Sequence, residues 1–406
     1  MHRAVRMLAL VTLLLISAEA RTATNEFVVG RGFDVGLWGT GLNTFPDVTN
    51  PRERAFDSII RSPTTQGIGR IFYRRNGILG RPLSLWLDFN TYKMGIFLRA
   101  NELVGTGLST TVFVRGEWML TGLFVHHMKN GDNLRERGFI GYYGLAGART
   151  AYKIMGPLSA EVELSGRQWF FHNGLRTARG FALPANFSAL EPRFRLKLVD
   201  IQYEQRNLGL PRGLGAVVEL GADVRLGSRS WGHVKGEPPD PRNQGGDHRL
   251  PRRVNARGTF GTPLPGRLWL TLQSEVGYGL DEDDVTRTRI GGMNPFSVNL
   301  PGAAWGEYWS ERFGAVHGEL GILATPFLYA GFSAHGVVLN DPRREGDLDR
   351  YDFKRGVTAE SRIGMGRLGF LRFRVGGSPD VIRKKGVGSL AFLFWWELGN
   401  TPDRFL

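Results

Sequence analysis

The chain alternates between hydrophobic and polar residues in short stretches from Gly67 to its C-terminal end. The clearest stretch covers residues 214–227, where alternate positions share one apolar face: Val218, Leu220, Ala222, Val224 and Leu226. The positions between them carry charge at Glu219, Asp223 and Arg225. An apolar outer face and a charged inner face are typical of strands in a barrel that contacts lipid and encloses water. The pattern predicts an all-β fold, a transmembrane antiparallel β-barrel with these three charged residues facing its lumen.

Sixteen such strands can be traced, joined in turn by tight turns and long polar loops. They are predicted at residues 27–41, 67–76, 82–90, 93–102, 108–128, 138–154, 158–172, 192–206, 214–227, 252–261, 267–280, 305–323, 327–339, 351–364, 369–376 and 388–398. An even number of strands places the N- and C-termini on the same side of the barrel as the short turns, which is periplasmic in bacterial barrels. Because strand boundaries read from sequence err by a few residues, fourteen strands is the alternative.

Two details of this pattern make further predictions. In the eighth strand, the apolar residues occupy even positions up to Leu198 and odd positions from Val199. This change predicts a β-bulge between the two residues. The last strand should pair with the first, because a closed barrel satisfies all backbone polar groups within lipid. Its lipid-facing side is then the aromatic face that contains Phe392, Phe394 and Trp396.

The N-terminus has the organisation of a secretory signal peptide. Arg3 and Arg6 precede an apolar run over residues 7–16, and Ala18-Glu19-Ala20 matches a cleavage site. The run is well short of the ~20 residues that a transmembrane helix needs. We therefore expect residues 1–20 to be removed and residues 21–406 to form the barrel, an integral protein of the bacterial outer membrane.

Composition narrows the possible partners. The chain has no cysteine, which excludes disulfides, and a net charge of +14 that falls to +13 without Arg3, Arg6 and Glu19. An exported basic protein suits anionic lipid head groups or anionic solutes in a lumen better than nucleic acid. A solvated basic surface is the simpler alternative. We expect outer-membrane lipid, and no nucleic acid, as a partner.

Three motifs suggest chemistry, and each has a simpler interpretation. Residues 364–369 match G-x-G-x-x-G, but a strand pattern follows instead of the helix that nucleotide binding requires, so a hairpin turn is predicted. His126 and His127 would point to opposite faces of a strand and cannot share a metal ion there. The acidic run at residues 281–284 could hold calcium, but it lacks the spacing of an ion loop. Solvation, or pairing with lumen arginines, is favoured for it.

No catalytic, cofactor-binding or metal-binding residue is predicted. A barrel-embedded lipid hydrolase would need a serine next to a histidine base. Ser310 and His317 lie seven residues apart on one predicted strand, about 23 Å, which is too far for contact. We therefore expect the chain not to be an enzyme, with a lipid hydrolase as the minor alternative.

The C-terminal half carries a family resemblance. Residues 289–302 read Arg-Ile-Gly-Gly-Met-Asn-Pro-Phe-Ser-Val-Asn-Leu-Pro-Gly between the eleventh and twelfth strands, and residues 369–380 precede an aromatic last strand. Eleven strands, a long loop and five strands resemble the BamA/TamA-type superfamily, the bacterial surface antigen family, over residues 210–398. The resemblance implies that the loop at residues 281–304 folds into the lumen. The candidate loop residues are Arg289, Gly291, Gly292, Pro295, Phe296, Pro301 and Gly302, and Arg372 and Arg374 are further candidate lumen-facing residues.

Two departures from the family affect what can be expected. No arginine lies between Gly292 and Gly302, so the loop arginine of the family is missing, and Arg287 or Arg289 could replace it. The residues between 20 and 27 leave no room for a periplasmic POTRA domain, since a small domain needs at least ~50 residues. A barrel-only member is expected.

The resemblance implies a role in assembly or translocation of outer-membrane proteins, with unfolded or nascent outer-membrane proteins as partners. The charged lumen favours the alternative of a passive, porin-like channel for small solutes. The position of the loop distinguishes the two: inside the lumen it plugs the pore, and outside it leaves a channel.

Overall fold

Sixteen antiparallel strands form one continuous sheet in the computed structural model. It describes residues 25–37, 64–78, 82–90, 93–100, 107–119, 128–129, 132–133, 139–173, 177–204, 208–227, 231–236, 250–293, 298–303, 307–340, 351–381 and 389–398. The strands are β1 (Asn25–Leu37), β2 (Thr64–Asn76), β3 (Leu83–Asn90), β4 (Lys93–Ala100), β5 (Leu108–Met119), β6 (Phe139–Met155), β7 (Leu158–Asn173), β8 (Ser188–Glu204), β9 (Leu210–Ala222, continued by Val224–Leu226), β10 (Arg252–Leu264), β11 (Leu268–Leu280), β12 (Arg312–Thr325), β13 (Leu328–Asn340), β14 (Tyr351–Gly364), β15 (Phe370–Ser378) and β16 (Ser389–Leu398).

The sheet closes on itself. Each strand pairs with the next along the chain, and β16 returns to pair with β1 from Val29 opposite Leu398 to Leu37 opposite Leu390. Closure leaves no sheet edge, so the backbone polar groups of every spanning strand have partners without water. The predicted sixteen-stranded closed barrel is confirmed, and the fourteen-stranded alternative is wrong.

The two faces of the barrel wall differ in chemistry. Large apolar side chains such as Val276, Phe353 and Leu220 are about half exposed on the outside. The polar and charged side chains of the same strands lie inside. On β16, Phe392 faces outward while Ala391, Leu393 and Trp395 are buried inside. An exposed apolar belt of this extent is stable only when lipid covers it.

Several strand ends differ from the predicted ones by a few residues, and two further details of the predicted pattern are wrong. The predicted β-bulge at Leu198–Val199 is wrong, because β8 pairs without a register shift with both neighbours. The apolar residues change from even to odd positions there because the environment of the strand changes. Leu198 is the last residue that pairs with β7, and beyond it β8 pairs only with β9. The predicted twelfth strand began at residue 305, but Tyr308–Ser310 instead forms a short ribbon with Thr288–Ile290 inside the preceding loop.

Several sequence predictions fall on residues that the structure does not describe. The signal peptide at residues 1–20 is one, and the His126-His127 pair is another. No helix within the described ranges is long and apolar enough to cross a membrane.

Candidate functional site

One wall of the lumen, on β7, β8 and β9, carries a ladder of alternating charges. Lys197 Nζ lies 2.8 Å from Glu161 Oε2, and Arg195 Nη1 lies 2.7 Å from Glu163 Oε2. Arg195 also contacts Glu161 and Glu219. Alternation along each strand places these side chains on the inner face, and the register of the strands sets acid opposite base. The predicted lumen residue Glu219 therefore takes part in a cross-strand ladder.

A second charge cluster lies on the opposite wall, on β12 to β15. Glu360 lies 3.0 Å from Arg372 Nε in an ion pair and also contacts Arg362 and Arg374. Glu319 accepts a 2.7 Å hydrogen bond from the Tyr329 hydroxyl. The predicted residues Arg372 and Arg374 therefore face the lumen and surround one buried carboxylate.

Two histidines meet in this wall. His317 on β12 and His335 on β13 are cross-strand partners, with ring nitrogens 3.1 Å apart. His335 Nε2 also lies 3.1 Å from Ser333 Oγ and 2.9 Å from Thr358 Oγ1. Sequence analysis missed the pair, because a contact between strands appears only when their register is known. Ser310 lies elsewhere, bonded to the carbonyls of Arg312 and Asn340 at 2.7 and 2.8 Å.

The acidic run at residues 281–284 pairs with arginines. Arg225 on β9 donates to both carboxylate oxygens of Asp283, at 2.7 and 3.2 Å. Arg253 on β10 donates to Glu282 at 2.7 Å. Asp281 and Asp284 have Arg252 and Arg287 as partners, at 3.1 and 2.6 Å. The described ranges contain no group of three or more histidine, aspartate or glutamate side chains arranged to hold a metal ion.

Burial changes the acidity of one of these carboxyl groups. Only 2% of the Glu282 side chain is exposed. This burial raises the pKa of Glu282 to about 7, and the neighbouring Arg253 guanidinium opposes the rise. The predicted residues Asp223 and Arg225 lie beside this contact, 3.4 Å apart on β9. The start of the loop is thus bound to the inner face of β9 and β10.

The loop then turns sharply. Gly291, Gly292 and Gly302 have positive φ angles of 130°, 85° and 83°, a region that only glycine enters readily. Hydrogen bonds from Gly291 N to Val298 O and from Leu300 N to Gly292 O fold the segment back on itself, at 3.0 and 3.1 Å. Pro295 and Phe296 lie outside the described residues.

On both sides of the turn, the loop packs against the inner wall of the barrel. Ile290 and Leu300 are fully buried against Phe313, Val337 and Leu339, on the inner faces of β12 and β13. Met293 packs on the inner face of β16, against Ala391, Leu393 and Trp395. Pro301 lies over Gly356 and Gly376, where an added Cβ would come within 2.9 and 3.0 Å of its ring. The loop therefore lies inside the barrel and crosses from β9–β10 to β16.

Arg287 and Arg289 both bind within the loop. Arg287 donates to Asp284 and to the carbonyl of Glu282, at 2.6 and 3.1 Å. Arg289 donates to the carbonyl of Asp284 at 3.0 Å and stacks over Trp309. In the ion pairs between loop and wall described above, the arginines belong to the wall and the carboxylates to the loop.

Aromatic side chains fill the extracellular half of the lumen beside the loop. The cluster includes Phe139, Trp169, Phe171, Phe181, Phe187 and Trp231, together with Val285 of the loop. Phe181 and Trp231 come from two extracellular loops that bridge at Phe181 and Val234. Sequence analysis missed this cluster, since apolar residues were expected outside the barrel alone.

Three layers follow one another along the inner face of β13. Val337 and Leu339 contact the loop at the extracellular end, and Tyr329 is in an apolar cluster at the periplasmic end. Ser333 and His335 lie between them in the polar network. The inner face of β13 is thus apolar at both ends and polar in the middle.

No protein-family model matches the chain, and no curated protein matches its sequence. Among solved structures, it is similar to BamA from Haemophilus ducreyi lacking POTRA domains 1–3, with 12% identity and a TM-score of 0.61 over 94% of this chain and 71% of that one. CdiB from Acinetobacter baumannii matches at 14% identity and a TM-score of 0.48, over 93% and 60%. OmpT of Vibrio cholerae matches at 8% and 0.43, over 94% and 99%.

The likeness to BamA concerns the fold. It confirms the predicted outer-membrane β-barrel fold, of the type that BamA has. Identity this low carries no activity from one chain to the other.

Proposed function

We propose that this chain is an integral outer-membrane barrel that supports the assembly or translocation of outer-membrane proteins, with no catalytic reaction of its own. One observation carries the proposal: the described residues of the loop, 281–293 and 298–303, lie inside the lumen and touch both β9–β10 and β16. A passive channel needs a free aqueous path, whereas here buried apolar side chains of the loop and of the aromatic cluster occupy the extracellular half. Unfolded or nascent outer-membrane proteins, along with lipid, are the partners that this role requires.

The charged inner wall supports this choice over the channel. Glu161, Glu163, Arg195 and Lys197 are all buried and bonded to one another. Charges that neutralise each other across strands stabilise the wall, and they leave little net field to select ions. We therefore assign the ladder a structural role.

A lumen thiol tests whether the loop seals the extracellular side. The natural chain has no cysteine, so Ser333→Cys gives a unique reporter in the polar middle layer. In proteoliposomes, a membrane-impermeant maleimide added from the extracellular side should label it slowly. Deletion of Met293–Leu300 should speed labelling at least tenfold, while Arg252→Ala, which removes only an exposed ion pair, should change nothing. Equal rates in a folded deletion variant would contradict the sealing role.

Client insertion tests the assembly role. Proteoliposomes that contain the chain should insert a urea-denatured outer-membrane barrel faster than protein-free liposomes of the same lipid. The same preparation in planar bilayers should show little steady conductance. Large, open conductance together with no acceleration of insertion would favour the porin-like channel instead.

A further inference from the structure

The hairpin between β8 and β9 extends beyond its neighbours on the short-turn side of the barrel. β8 continues from Leu198, the last residue opposite β7, to Glu204, and β9 begins at Leu210. The neighbouring turns on this side are tight, such as Pro265–Arg267 between β10 and β11. Long connections are usual on the extracellular side, so an extended hairpin here is unusual.

The described end of this hairpin, residues 208–211 (the tip), folds into the barrel. Leu208 and Leu210 are only 2% and 0% exposed, although they are at the end of a hairpin. They form an apolar cluster with Trp269 on β11, Tyr329 on β13 and Phe370 on β15. The tip therefore reaches from β8–β9 to the opposite wall and spans the periplasmic end of the lumen.

Specific bonds hold the tip in place. Arg362 on β14 donates from Nη1 to the Leu208 carbonyl at 3.0 Å, and Trp269 Nε1 donates to the Pro211 carbonyl at 3.0 Å. The backbone of Gly209, at a φ of 66°, lies on the Phe370 ring, where an added Cβ would come within 2.8 Å. A tip held by two directional bonds and one apolar cluster is a discrete docked element.

The backbone of the tip is also strained. Leu208 has a φ of 54°, in the left-handed region that a leucine rarely enters. Such strain persists only where surrounding contacts compensate it, and it tends to occur in elements that switch between states. Undocking the tip would release this strain.

We propose that the β8–β9 tip is a periplasmic gate, separate from the loop that closes the extracellular end. Both closures rest on the same wall, β12 to β15. The loop contacts its extracellular half through Ile290 and Pro301, and the tip contacts its periplasmic half through Arg362 and Phe370. The polar layer around Ser333 and His335 thus lies between the two closures. This gate operates on any species that reaches the lumen from the periplasm, so it does not depend on the assembly role.

The Ser333→Cys reporter distinguishes the two closures by side. Replacing Leu208 and Leu210 by serine should raise the rate of maleimide labelling from the periplasmic side at least tenfold and leave the extracellular rate unchanged. Leu368→Ser is the matched control, because this leucine is in the periplasmic turn between β14 and β15 and is 60% exposed. Fast periplasmic labelling of the unaltered gate, or no change in the folded double variant, would overturn the proposal.

A redox lock tests the gate directly, because Leu208→Cys weakens the apolar packing of the tip and a disulfide then holds the tip in place. Leu208→Cys with Gly364→Cys places two thiols where the Leu208 side chain touches Gly364, in a chain with no other cysteine. In the background that lacks Met293–Leu300, we expect low conductance when the pair is oxidised and at least a fivefold rise after reduction. Equal conductance before and after reduction would show that the tip does not gate the lumen. Because this readout needs no client protein, its failure is distinct from failure of the assembly role.

Discussion

At the scale of single residues, the contact between Arg225 and Asp283 holds the start of the loop to the wall. Both side chains are almost completely buried and form two hydrogen bonds. Removing one partner of a buried pair leaves an uncompensated charge, at a cost of about 3–5 kcal/mol. Either Arg225→Glu or Asp283→Arg should therefore free the loop and speed extracellular labelling of Ser333→Cys.

The exchanged pair is the control for this prediction. Arg225→Glu combined with Asp283→Arg should recover part of the slow labelling, because opposite charges face each other again. The exposed pair of Arg252 and Asp281 serves as a reference, since such pairs contribute roughly 0–1 kcal/mol. If the exchanged pair labels as fast as either single variant, the contact does not hold the loop.

Glu282 should make loop docking depend on pH. Its pKa is near 7 in the docked loop and near 4.5 when the loop is free, so protonation favours the docked state. Docking is then strongest below pH 4.5 and weakens as the pH rises through 7, by roughly 3 kcal/mol at most. Extracellular labelling of Ser333→Cys should speed up between pH 5 and pH 8 beyond the intrinsic thiol effect. Glu282→Gln provides the reference, because only that thiol effect should remain in it.

Sequence alone placed charged residues on the correct face but did not identify their partners. Alternation within β9 puts Glu219, Asp223 and Arg225 on one face because neighbouring side chains point to opposite sides. Their contacts depend on strands far away in sequence. The bond between Arg225 and Asp283 joins residues 58 positions apart, and the pair of His317 and His335 requires the register of β12 and β13.

At the scale of strands, the inside–outside pattern can be tested with adjacent residues of β11. Leu272 is exposed on the lipid-facing side, and its neighbour Gln273 faces the lumen opposite His317. Leu272→Arg should destabilise the folded barrel by about 2–4 kcal/mol, while Gln273→Arg should be tolerated. Urea titration of both variants in lipid vesicles measures the difference. Similar losses in the two would contradict the assigned faces.

Strand number and order were predictable because each strand has an independent period-2 signal. The hairpin of β8 and β9 shows where this signal ends. Beyond Leu198 the strand no longer lies between two neighbours in lipid, so its apolar residues no longer mark a lipid face. The sequence pattern indicated a bulge, whereas the change in environment is the actual cause.

At the scale of the whole molecule, closure of the barrel could be predicted, because lipid offers no hydrogen-bond partners to a sheet edge. The segments that fill the lumen could not be predicted in this way. The backbone N–H and C=O groups at the edges of a membrane-spanning sheet need hydrogen-bond partners, and pairing of β16 with β1 supplies them. The position of the loop was expected only from a family resemblance. The aromatic cluster and the β8–β9 tip had no sequence signal of their own, because each is built from residues of several distant strands.

The partners of the β8–β9 tip also constrain the order of folding. Leu208 is bonded to Arg362, 154 residues later in the chain, and packs near Phe370 on the penultimate strand. A contact over this separation forms late, since the intervening chain must be ordered first. The periplasmic end can close only after the C-terminal strands have inserted, so a half-inserted barrel is open to the periplasm. Leakage of a small solute through the barrel that ceases as β14 and β15 insert would be the kinetic signature of this late closure.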